Sequence, residues 1–491
     1  IDPEMLGRIF ENLLAAIDIN ENLNIGNSTF YTPREIEDYM FKESIRLSLK
    51  NKTINISDKE IEKIFNSNED TKLSKKEIEK LLSILHEIKI LDPACGSGAF
   101  PIGILQRVFM IIDKLDPNHE FYKELLLKNI KGQAKIEFEK LYESKKFDYA
   151  YKLYILQNMI HGVDIQPIAI EISRLRAFLS LIVEEEKNES EDNLGIKPLP
   201  NLEFNFISAN SLISIKVKNS AQQSFNSMYV DGVVEKIKSI SEDYFNSSSK
   251  ENKDNVKHRF NELIDFIDKN DYLEKEDKKK FLSWNPFENK PAEFFDSEIQ
   301  FGIKSFDIVI GNPPYGAKLT NEEKKIYKSL FKYTTQGAMD TYKLFIEKGF
   351  NLLKKEGNLN YIVPMSVTSS KSNIALHKML LENCEMVRVS SYNDRPSQVF
   401  NNAHQKISII GFLRTDTKCK ELLTTKINRR YSSQSIDSVI KNLNFVNSID
   451  FVQDEAFCKI GLQIEKSIMQ KIYSNKKTIK DLMNGKQKLY Y

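Results

Sequence analysis

The sequence predicts an α/β protein with a mainly parallel β-sheet and helices on both faces of that sheet. Short apolar runs, typical of buried strands, alternate with longer stretches of helical periodicity. Several of the predicted strands also lead into a tight polar turn that opens a helix. No internal repeat interrupts this alternation.

The composition is that of a globular protein. The 491 residues are 41% hydrophobic and 10% aromatic, and their number allows two or three domains. No apolar run reaches the roughly 18 residues of a transmembrane helix, and the first residues lack the features of a signal peptide, so no membrane partner is expected. The 4 cysteines are widely spaced and form no CxxC pair, so we expect no disulfide framework, no metal site and a reducing, cytoplasmic location. A net charge of +2 argues neither for nor against nucleic acid.

Residues 1–88 are predicted to form a helical region. In the segment FYTPREIEDYM, Thr32 is a candidate N-cap, Pro33 a candidate first helical residue, and Glu35 completes what resembles a capping box. Residues 52–88 are charged and amphipathic, which predicts a helical insertion.

Residues 89–413 are predicted to form the central α/β domain. The segments IKILDPACGSGAFPIGILQRV and MIHGVDIQPIAIEISRL each predict a strand, a turn and a helix, and NLEFNFISANSLI predicts a strand that ends at Asn210. A polar stretch at about 213–300 predicts a helical insertion. The strand FDIVIG follows, and then the helix and strand of TYKLFIEKGFNLLKKEGNLNYIVP.

The character of the sequence changes at about residue 414. Residues 414–491 contain 15 Lys and Arg against 8 Asp and Glu, with basic clusters in KINRRYSS and YSNKKTIK. Such clusters form either a solvated surface or a face that meets phosphates. We expect 414–491 to be the start of a further, incomplete domain.

The first two predicted strands end in residues suited to a nucleotide-like ligand. Gly96 and Gly98 follow the first strand, where the missing Cβ atoms let backbone N–H groups approach a ligand. The pattern is not a full GxGxxG, which disfavours a nicotinamide cofactor. Asp164 ends the next strand, where an acidic residue would hold ribose hydroxyls. A plain structural turn and a surface aspartate are the alternatives.

The stretch NPPY, which follows FDIVIG, combines a side-chain amide, two stiff prolines and an aromatic ring. The amide oxygen of Asn312 and the backbone carbonyl of Pro313 could together accept hydrogen bonds from an exocyclic amine. The prolines would hold both acceptors with little reorganisation. Tyr315 could stack on the planar ring that carries the amine. The alternative is a proline-rich turn with an exposed tyrosine.

Taken together, these motifs resemble those of adenine-N6 DNA methyltransferases that use S-adenosylmethionine. The chain is most similar to the Eco57I-like (type IIG) proteins, in which restriction and modification share one polypeptide. FYTP, DPACGSGAF, GVDIQP, SANSLI and NPPY follow the order of the gamma class, across roughly residues 1–415. The resemblance implies a Rossmann-like methyltransferase sheet with an N-terminal helical region, helical insertions and a partial C-terminal target-recognition domain. It also implies double-stranded DNA as the partner.

The resemblance assigns cofactor contacts to individual residues. The residues that would lie in the cofactor motifs at the methionine end of S-adenosylmethionine are Tyr31, Thr32, Pro33, Asp92, Ala94, Gly96, Gly98 and Phe100. Asp164 would bind the ribose, and Ile165 would lie against the adenine. Asn210 stands near the adenine amine, at a position where many relatives carry Asp.

The resemblance also assigns residues to the part of the site that would hold the target base, which accepts the methyl group. The catalytic motif would be Asn312, Pro313, Pro314 and Tyr315. Phe400 resembles the aromatic residue that packs on the opposite side of the flipped target base from Tyr315, and Asp340 matches a supporting motif.

Other functions stay open at this point. NPPY also occurs in protein-glutamine and ribosomal-RNA guanine methyltransferases, although the size, the FYTP motif and the basic C-terminal region disfavour them. A catalytically silent methyltransferase-like subunit that only binds DNA in a defence complex is a second alternative, which the intact glycine turn disfavours. No acidic-plus-ExK nuclease arrangement is found. The chain starts at Ile1 rather than Met, so we expect a nuclease region upstream in the same polypeptide, or none in a phage-defence methyltransferase.

Overall fold

The computed structural model describes residues 32–51, 56–66, 68–129, 133–143, 146–183, 200–215, 223–245, 247, 249–270, 273–400, 405–452 and 456–474. They form a nine-stranded sheet flanked by helices, which confirms the predicted α/β class. None of the helices in these ranges is long and apolar enough to cross a membrane.

The sheet is parallel in its first half and mixed in its second half. Its strands are β1 (Ile90–Asp92), β2 (Ile160–Asp164), β3 (Phe206–Ser208), β4 (Phe306–Gly311), β5 (Leu353–Pro364), β6 (Cys384–Tyr392), β7 (Ile407–Arg414), β8 (Glu421–Asn428) and β9 (Val446–Asn447). The spatial order is β3-β2-β1-β4-β5-β7-β6-β8-β9.

The first five strands in this spatial order, which are β3, β2, β1, β4 and β5, are parallel to one another. Strand β7 runs antiparallel between β5 and β6, β8 is parallel to β6, and β9 is antiparallel to β8. Strands β1 to β6 and β8 therefore all end at the same edge of the sheet, and β7 begins there. We call it the carboxyl edge, and the opposite one the amino edge.

Helices occupy most of the connections between the strands. In the described ranges they are α1 (Arg34–Asn51), α2 (Asp58–Ile64), α3 (Lys75–Glu87), α4 (Ala99–Leu115), α5 (Glu120–Asn129), α6 (Gln133–Glu143), α7 (Phe147–Asn158), α8 (Pro167–Ile182), α9 (Gln223–Phe245), α10 (Lys250–Lys269), α11 (Lys275–Leu282), α12 (Ser297–Phe301), α13 (Asn321–Leu330), α14 (Thr341–Leu352), α15 (Ile374–Asn383), α16 (Ile436–Lys441) and α17 (Gln463–Ser474). The helical insertions predicted at 52–88 and 213–300 correspond to α2–α3 and α9–α12.

Two hydrophobic clusters cover the two faces of the sheet. Ile308 and Ile310 of β4 belong to one cluster, and Val309 between them belongs to the other, as expected for alternating side chains. The one acidic residue of this strand, Asp307, accepts hydrogen bonds from the Lys89 backbone N–H at 2.9 Å and from Lys354 Nζ at 2.8 Å. Its charge is therefore compensated at the amino edge.

Helix α1 begins one residue later than the sequence predicts. The Pro33 carbonyl accepts the first helical hydrogen bonds, from Ile36 N at 2.9 Å and from Glu37 N at 3.2 Å. Pro33 thus occupies the cap position itself, and the prediction that Thr32 is the N-cap is wrong because the turn opens one residue further along.

Buried amides attach α1 to the middle of the sheet. Asn358 of β5 donates to the Ser44 carbonyl at 3.1 Å and to Ser48 Oγ at 3.0 Å, and Asn360 donates to Ser44 Oγ at 2.7 Å. Because hydrogen-bonded polar groups in an apolar interior are costly to separate, these contacts fix α1 in one position on β5.

The sheet continues past residue 414, where the composition predicts a domain boundary. Strand β8 pairs with β6 over 421–428, and β9 pairs with β8. Helix α16 packs through Ile436, Val439 and Ile440 against the same cluster that α1 joins. Residues 414–447 therefore belong to the same central sheet, so the predicted boundary lies too early. The basic composition reflects their exposed positions rather than a separate fold.

Candidate active site

The strand order reverses between β1 and β4, which places the ends of these two strands side by side. Their register pairs Ile90 with Ile308 and Leu91 with Val309. In open α/β sheets, ligands bind outside the carboxyl ends of the strands at such a reversal. The glycine turn after β1 and the NPPY segment after β4 meet at this point.

The two glycines of the turn have different surroundings. Gly96 and Gly98 both have positive φ, +54° and +85°, which L-residues with side chains rarely adopt. A Cβ on Gly98 would lie 2.9 Å from Ser173 Oγ of α8, whereas a Cβ on Gly96 would meet nothing within 4 Å. Gly98 therefore serves helix packing, while Gly96 borders open space.

Asp164, at the end of β2, holds the glycine turn. Its Oδ2 accepts from Gly96 N at 3.0 Å, and its Oδ1 accepts from Gln166 N at 2.9 Å. Desolvation raises the pKa of this carboxyl, against the opposing effect of those two N–H donors. Ile165 follows with 53% of its surface exposed, beside the same turn.

Asp92 lies between the two loops. It is 2% exposed, its Oδ1 accepts from Ala94 N at 3.0 Å, and its Oδ2 has no hydrogen-bond partner among the described residues. Burial raises the pKa of this carboxyl well above its usual range. A Cβ on Gly311 would lie 2.4 Å from Asp92 Oδ1, so the last residue of β4 must be glycine for the loops to meet.

The NPPY segment is held from three directions. Asn312 Nδ2 donates to Thr32 Oγ1 at 3.2 Å, which joins the FYTP segment to NPPY across 280 residues of sequence. The Thr341 hydroxyl donates to the Pro314 carbonyl at 2.6 Å, and Gly316 N donates to Asp340 Oδ1 at 3.0 Å. The start of α14 therefore supports the prolines, in agreement with the supporting role predicted for Asp340.

The SANSLI segment joins the glycine turn through a neighbour of the predicted residue. Ser211 Oγ donates to the Pro93 carbonyl at 2.6 Å. Asn210 itself accepts from Leu212 N at 3.1 Å, so its side-chain oxygen orients its own turn. Asn210 is half-buried beside the β1 turn.

Three predicted aromatic contacts lie in the interior. Phe100 and Phe400 belong to one hydrophobic cluster, and Tyr315 belongs to the cluster on the other face of the sheet. Tyr315 is 7% exposed and Phe400 is 1% exposed. Burial raises the pKa of the Tyr315 hydroxyl. Tyr315 and Phe400 therefore do not face each other across an open cleft in this structure.

The remaining predicted residues lie as follows. Thr32 is buried, and Pro33, Ala94 and Pro314 are half-buried beside the loops described above. Tyr31 lies outside the described residues. In the described ranges, no group of three or more His, Cys, Asp or Glu side chains is placed to hold a metal ion.

Sequence reasoning missed several side chains that position these loops. Thr341 and Ser211 each directly follow a residue that the sequence analysis had assigned to the site. A hydroxyl side chain next to a motif was therefore the sequence signal that could have identified them. Ser173 donates to the Gly96 carbonyl at 2.8 Å, and Arg176 donates to the Ser97 carbonyl at 2.8 Å. Both lie on α8, far from the turn in sequence, and carry no local signal.

Comparison with known proteins places this site in a family context. Residues 158–400 match the model of the Eco57I restriction-modification methylase family. The putative type II restriction enzyme and methyltransferase RM.MjaORFECS2P of Methanocaldococcus jannaschii is 27% identical over 488 residues, which cover 86% of this chain and 38% of that protein. The type II restriction enzyme and methyltransferase RM.Eco57I of Escherichia coli is 26% identical over 322 residues, which cover 64% of this chain and 23% of that protein.

A third relative is an uncharacterized adenine-specific methylase of Mycoplasma pneumoniae. It is 28% identical over 177 residues, which cover 35% of this chain and 37% of that protein. The aligned region thus spans less than two fifths of the length of each of these three relatives.

Proposed function

Because residues 158–400 belong to the Eco57I restriction-modification methylase family, we propose that this chain transfers a methyl group from S-adenosylmethionine to the N6 amine of adenine in a specific DNA sequence. It would act as the modification part of a restriction-modification or phage-defence system. The names of the relatives support this chemistry, since two are restriction enzymes and methyltransferases and the third is an adenine-specific methylase.

One structural observation carries the proposal: the donor and acceptor loops are physically joined. Asp92 of the β1 turn contacts Gly311 of β4, and Asn312 beside it donates to Thr32. A group held by the first loop would therefore lie next to a group held by the second, which is the arrangement that transfer between two bound substrates requires.

The residues present fit the cofactor. The open space at Gly96 admits a ligand next to the backbone, and the unpartnered, buried Asp92 Oδ2 is an acceptor that a ligand donor can satisfy. Asp164 and Ile165 would hold the ribose and the adenine, with Asn210 at the adenine amine. S-adenosylmethionine, when bound, supplies an electrophilic methyl group on its sulfonium.

On the acceptor side, the Asn312 amide oxygen and the Pro313 carbonyl would accept hydrogen bonds from the adenine amine. The support of Pro314 by Thr341 keeps these acceptors in place without reorganisation. The target base must leave the duplex to reach them, at a cost of a few kcal/mol. Since Tyr315 and Phe400 are buried, stacking of the base between them would require these two side chains to turn out of the hydrophobic clusters when DNA binds, while the backbone around Pro314 keeps its position.

The proposal extends to the whole polypeptide. A nuclease region elsewhere in the same polypeptide is supported by the combined names of two relatives, which this chain covers only in part. A target-recognition domain would begin after β9 rather than at 414, since the intervening residues are committed to the sheet.

The test is direct. The protein is incubated with isotopically labelled S-adenosylmethionine and, in separate reactions, with mixed-sequence DNA, RNA or a protein mixture, and the digested nucleosides or peptides are separated by mass spectrometry. We expect labelled N6-methyladenine, and we expect Asn312→Ala to abolish it while S-adenosylmethionine still binds, since the lost interaction matters chiefly in the transition state. Label on RNA or protein instead of DNA would favour the alternative acceptors, and cofactor binding without any transfer would favour a silent subunit.

A further inference from the structure

The connection between β6 and β7 follows the chain that leaves β8. Asn393 N donates to the Asn428 carbonyl at 2.9 Å, and Ser397 N donates to the Arg430 carbonyl at 3.0 Å. Asn393 directly follows β6, and Asn428 is the last residue of β8. The first half of the connection is therefore held along the end of β8 by backbone hydrogen bonds.

The side chain of Arg430 adds a second anchor to this connection. Its Nε donates to the Gln398 carbonyl at 3.1 Å, and one of its terminal nitrogens donates to the same carbonyl. The other terminal nitrogen donates to the Gln434 carbonyl at 3.5 Å. Hydrogen bonds from a charged donor are stronger than those between neutral groups, and the planar guanidinium fixes their direction. Arg430 thus clamps the connection at Gln398, two residues before Phe400.

The clamped connection leads to the part of the sheet that carries NPPY. Phe400 belongs to the hydrophobic cluster that also contains Ile310 of β4 and Ile362 of β5. The start of β7 is tied to the end of β5, because Met365 N donates to the Lys406 carbonyl at 2.9 Å. Since β5 lies between β7 and β4, β7 begins about 10 Å from the strand that leads into NPPY.

We propose that Arg430 is a positioning residue for methyl transfer: by fixing the backbone at Gln398, it sets where the Phe400 ring meets the flipped base. This inference rests on the proposed function. Phe400 is 1% exposed, so its side chain would turn out of the hydrophobic cluster when the base arrives. Two residues span at most about 7 Å, so a fixed Gln398 keeps the ring close to the site while its side chain rotates. With a loosened backbone the ring would hold the base less well, and the base would return to the duplex because flipping costs free energy.

Three variants of the full chain test the inference. Arg430→Ala removes the clamp but leaves the backbone hydrogen bond from Ser397, so the connection keeps one anchor. The matched control, Arg429→Ala, removes the same charge from the exposed neighbouring residue. Arg430→Lys keeps the charge but lacks the planar pair of donors. Hydrogen exchange followed by mass spectrometry measures the protection of residues 393–400, and calorimetric titration measures S-adenosylmethionine affinity.

The rate of methyl transfer is measured on two substrates. One is a duplex with the sequence that the wild-type protein methylates, and the other is the same duplex with an abasic site opposite the target adenine. The abasic site leaves the adenine unpaired, so this base costs less to flip.

We expect Arg430→Ala to lower kcat/KM by about tenfold or more on the paired duplex. It should lose most of this defect on the abasic duplex, and its residues 393–400 should exchange faster. Arg429→Ala should match the wild type in both measurements, and Arg430→Lys should lie between the two. S-adenosylmethionine affinity should stay unchanged in all three variants. If the alanine variant does not fold, Arg430→Lys serves for the same comparisons.

Wild-type kinetics in Arg430→Ala would overturn the inference, and the proposed function would still stand if the wild-type protein methylates adenine. An equal defect on both duplexes would also overturn it, because the loss would then not concern the hold on the flipped base. A defect of the same size in Arg429→Ala would assign the effect to the lost charge and would overturn it too. A wild-type protein that transfers no methyl group to adenine would remove the proposed function and this inference together.

Discussion

Replacing Thr32 with Val tests whether the FYTP segment positions the Asn312 amide, which we propose holds the target amine. Valine has nearly the shape of threonine but cannot accept the hydrogen bond that Asn312 Nδ2 donates at 3.2 Å. A hydrogen bond of this kind contributes about 0.5–1.5 kcal/mol net. If the orientation of the amide is needed in the transition state, Thr32→Val should lower kcat roughly 2- to 13-fold.

The control for this change is Thr32→Ser, which keeps the hydroxyl and should keep kcat. Single-turnover methyl transfer at saturating cofactor and DNA measures the rate, and calorimetric titration with S-adenosylmethionine measures the affinity. Thermal unfolding checks that the buried methyl groups still pack. Wild-type kcat in the valine variant would refute a positioning role for Thr32, whereas an effect confined to cofactor affinity would leave Thr32 only as part of the cofactor site.

Three further outcomes are expected. Gly96→Ala should weaken S-adenosylmethionine binding, and it should lower the free energy of unfolding only by backbone strain of about 1–3 kcal/mol. Gly98→Ala should destabilise the protein more, because its Cβ would also lie 2.9 Å from Ser173 Oγ of α8. Equal losses of stability in urea unfolding would contradict this difference. The folded pKa of Asp92 is raised above its ordinary 3.8, so the stability this carboxyl contributes is complete below that pH and is lost as pH rises towards the folded value. Asp92→Asn should therefore be more stable than wild type at neutral pH and no more stable near pH 3 (about one unit below the ordinary value), and a pH-independent difference in urea unfolding would argue against a raised pKa. A chain that ends at residue 413 should show no cooperative unfolding by circular dichroism, because it lacks β8. A chain that ends at residue 462 should still unfold cooperatively, because α17 contains no buried residue. If both chains fold, β8 is dispensable.

The elements that sequence reasoning predicted well are those whose signal is local. Strand β4 is apolar over five of its six positions and is buried at all of them, and a strand followed by Gly96 and Gly98 predicts the turn that the structure contains. The β1 and β4 loops meet in the structure because parallel strands bring their carboxyl ends to one edge.

Contacts between distant segments could not be predicted in the same way. The bond between Thr32 and Asn312 joins residues 280 positions apart, and no periodicity reports it. The boundary at residue 414 was misplaced for a related reason. The basic composition that suggested this boundary comes from exposed side chains, including those of β8. Whether β8 joins the sheet depends instead on its buried side chains, such as Leu422 and Thr424, and on its backbone pairing with β6.

The attachment of α1 to β5 has a consequence for chimeric enzymes. The buried amides of Asn358 and Asn360 are matched to Ser44 and Ser48, so a foreign helix without hydroxyl side chains at these two positions would leave those donors without their side-chain acceptors. Fusions that exchange the residues before α1 should therefore be joined before residue 32. A junction placed between α1 and β1 would strand the amides in the interior and separate Thr32 from the loop that it orients.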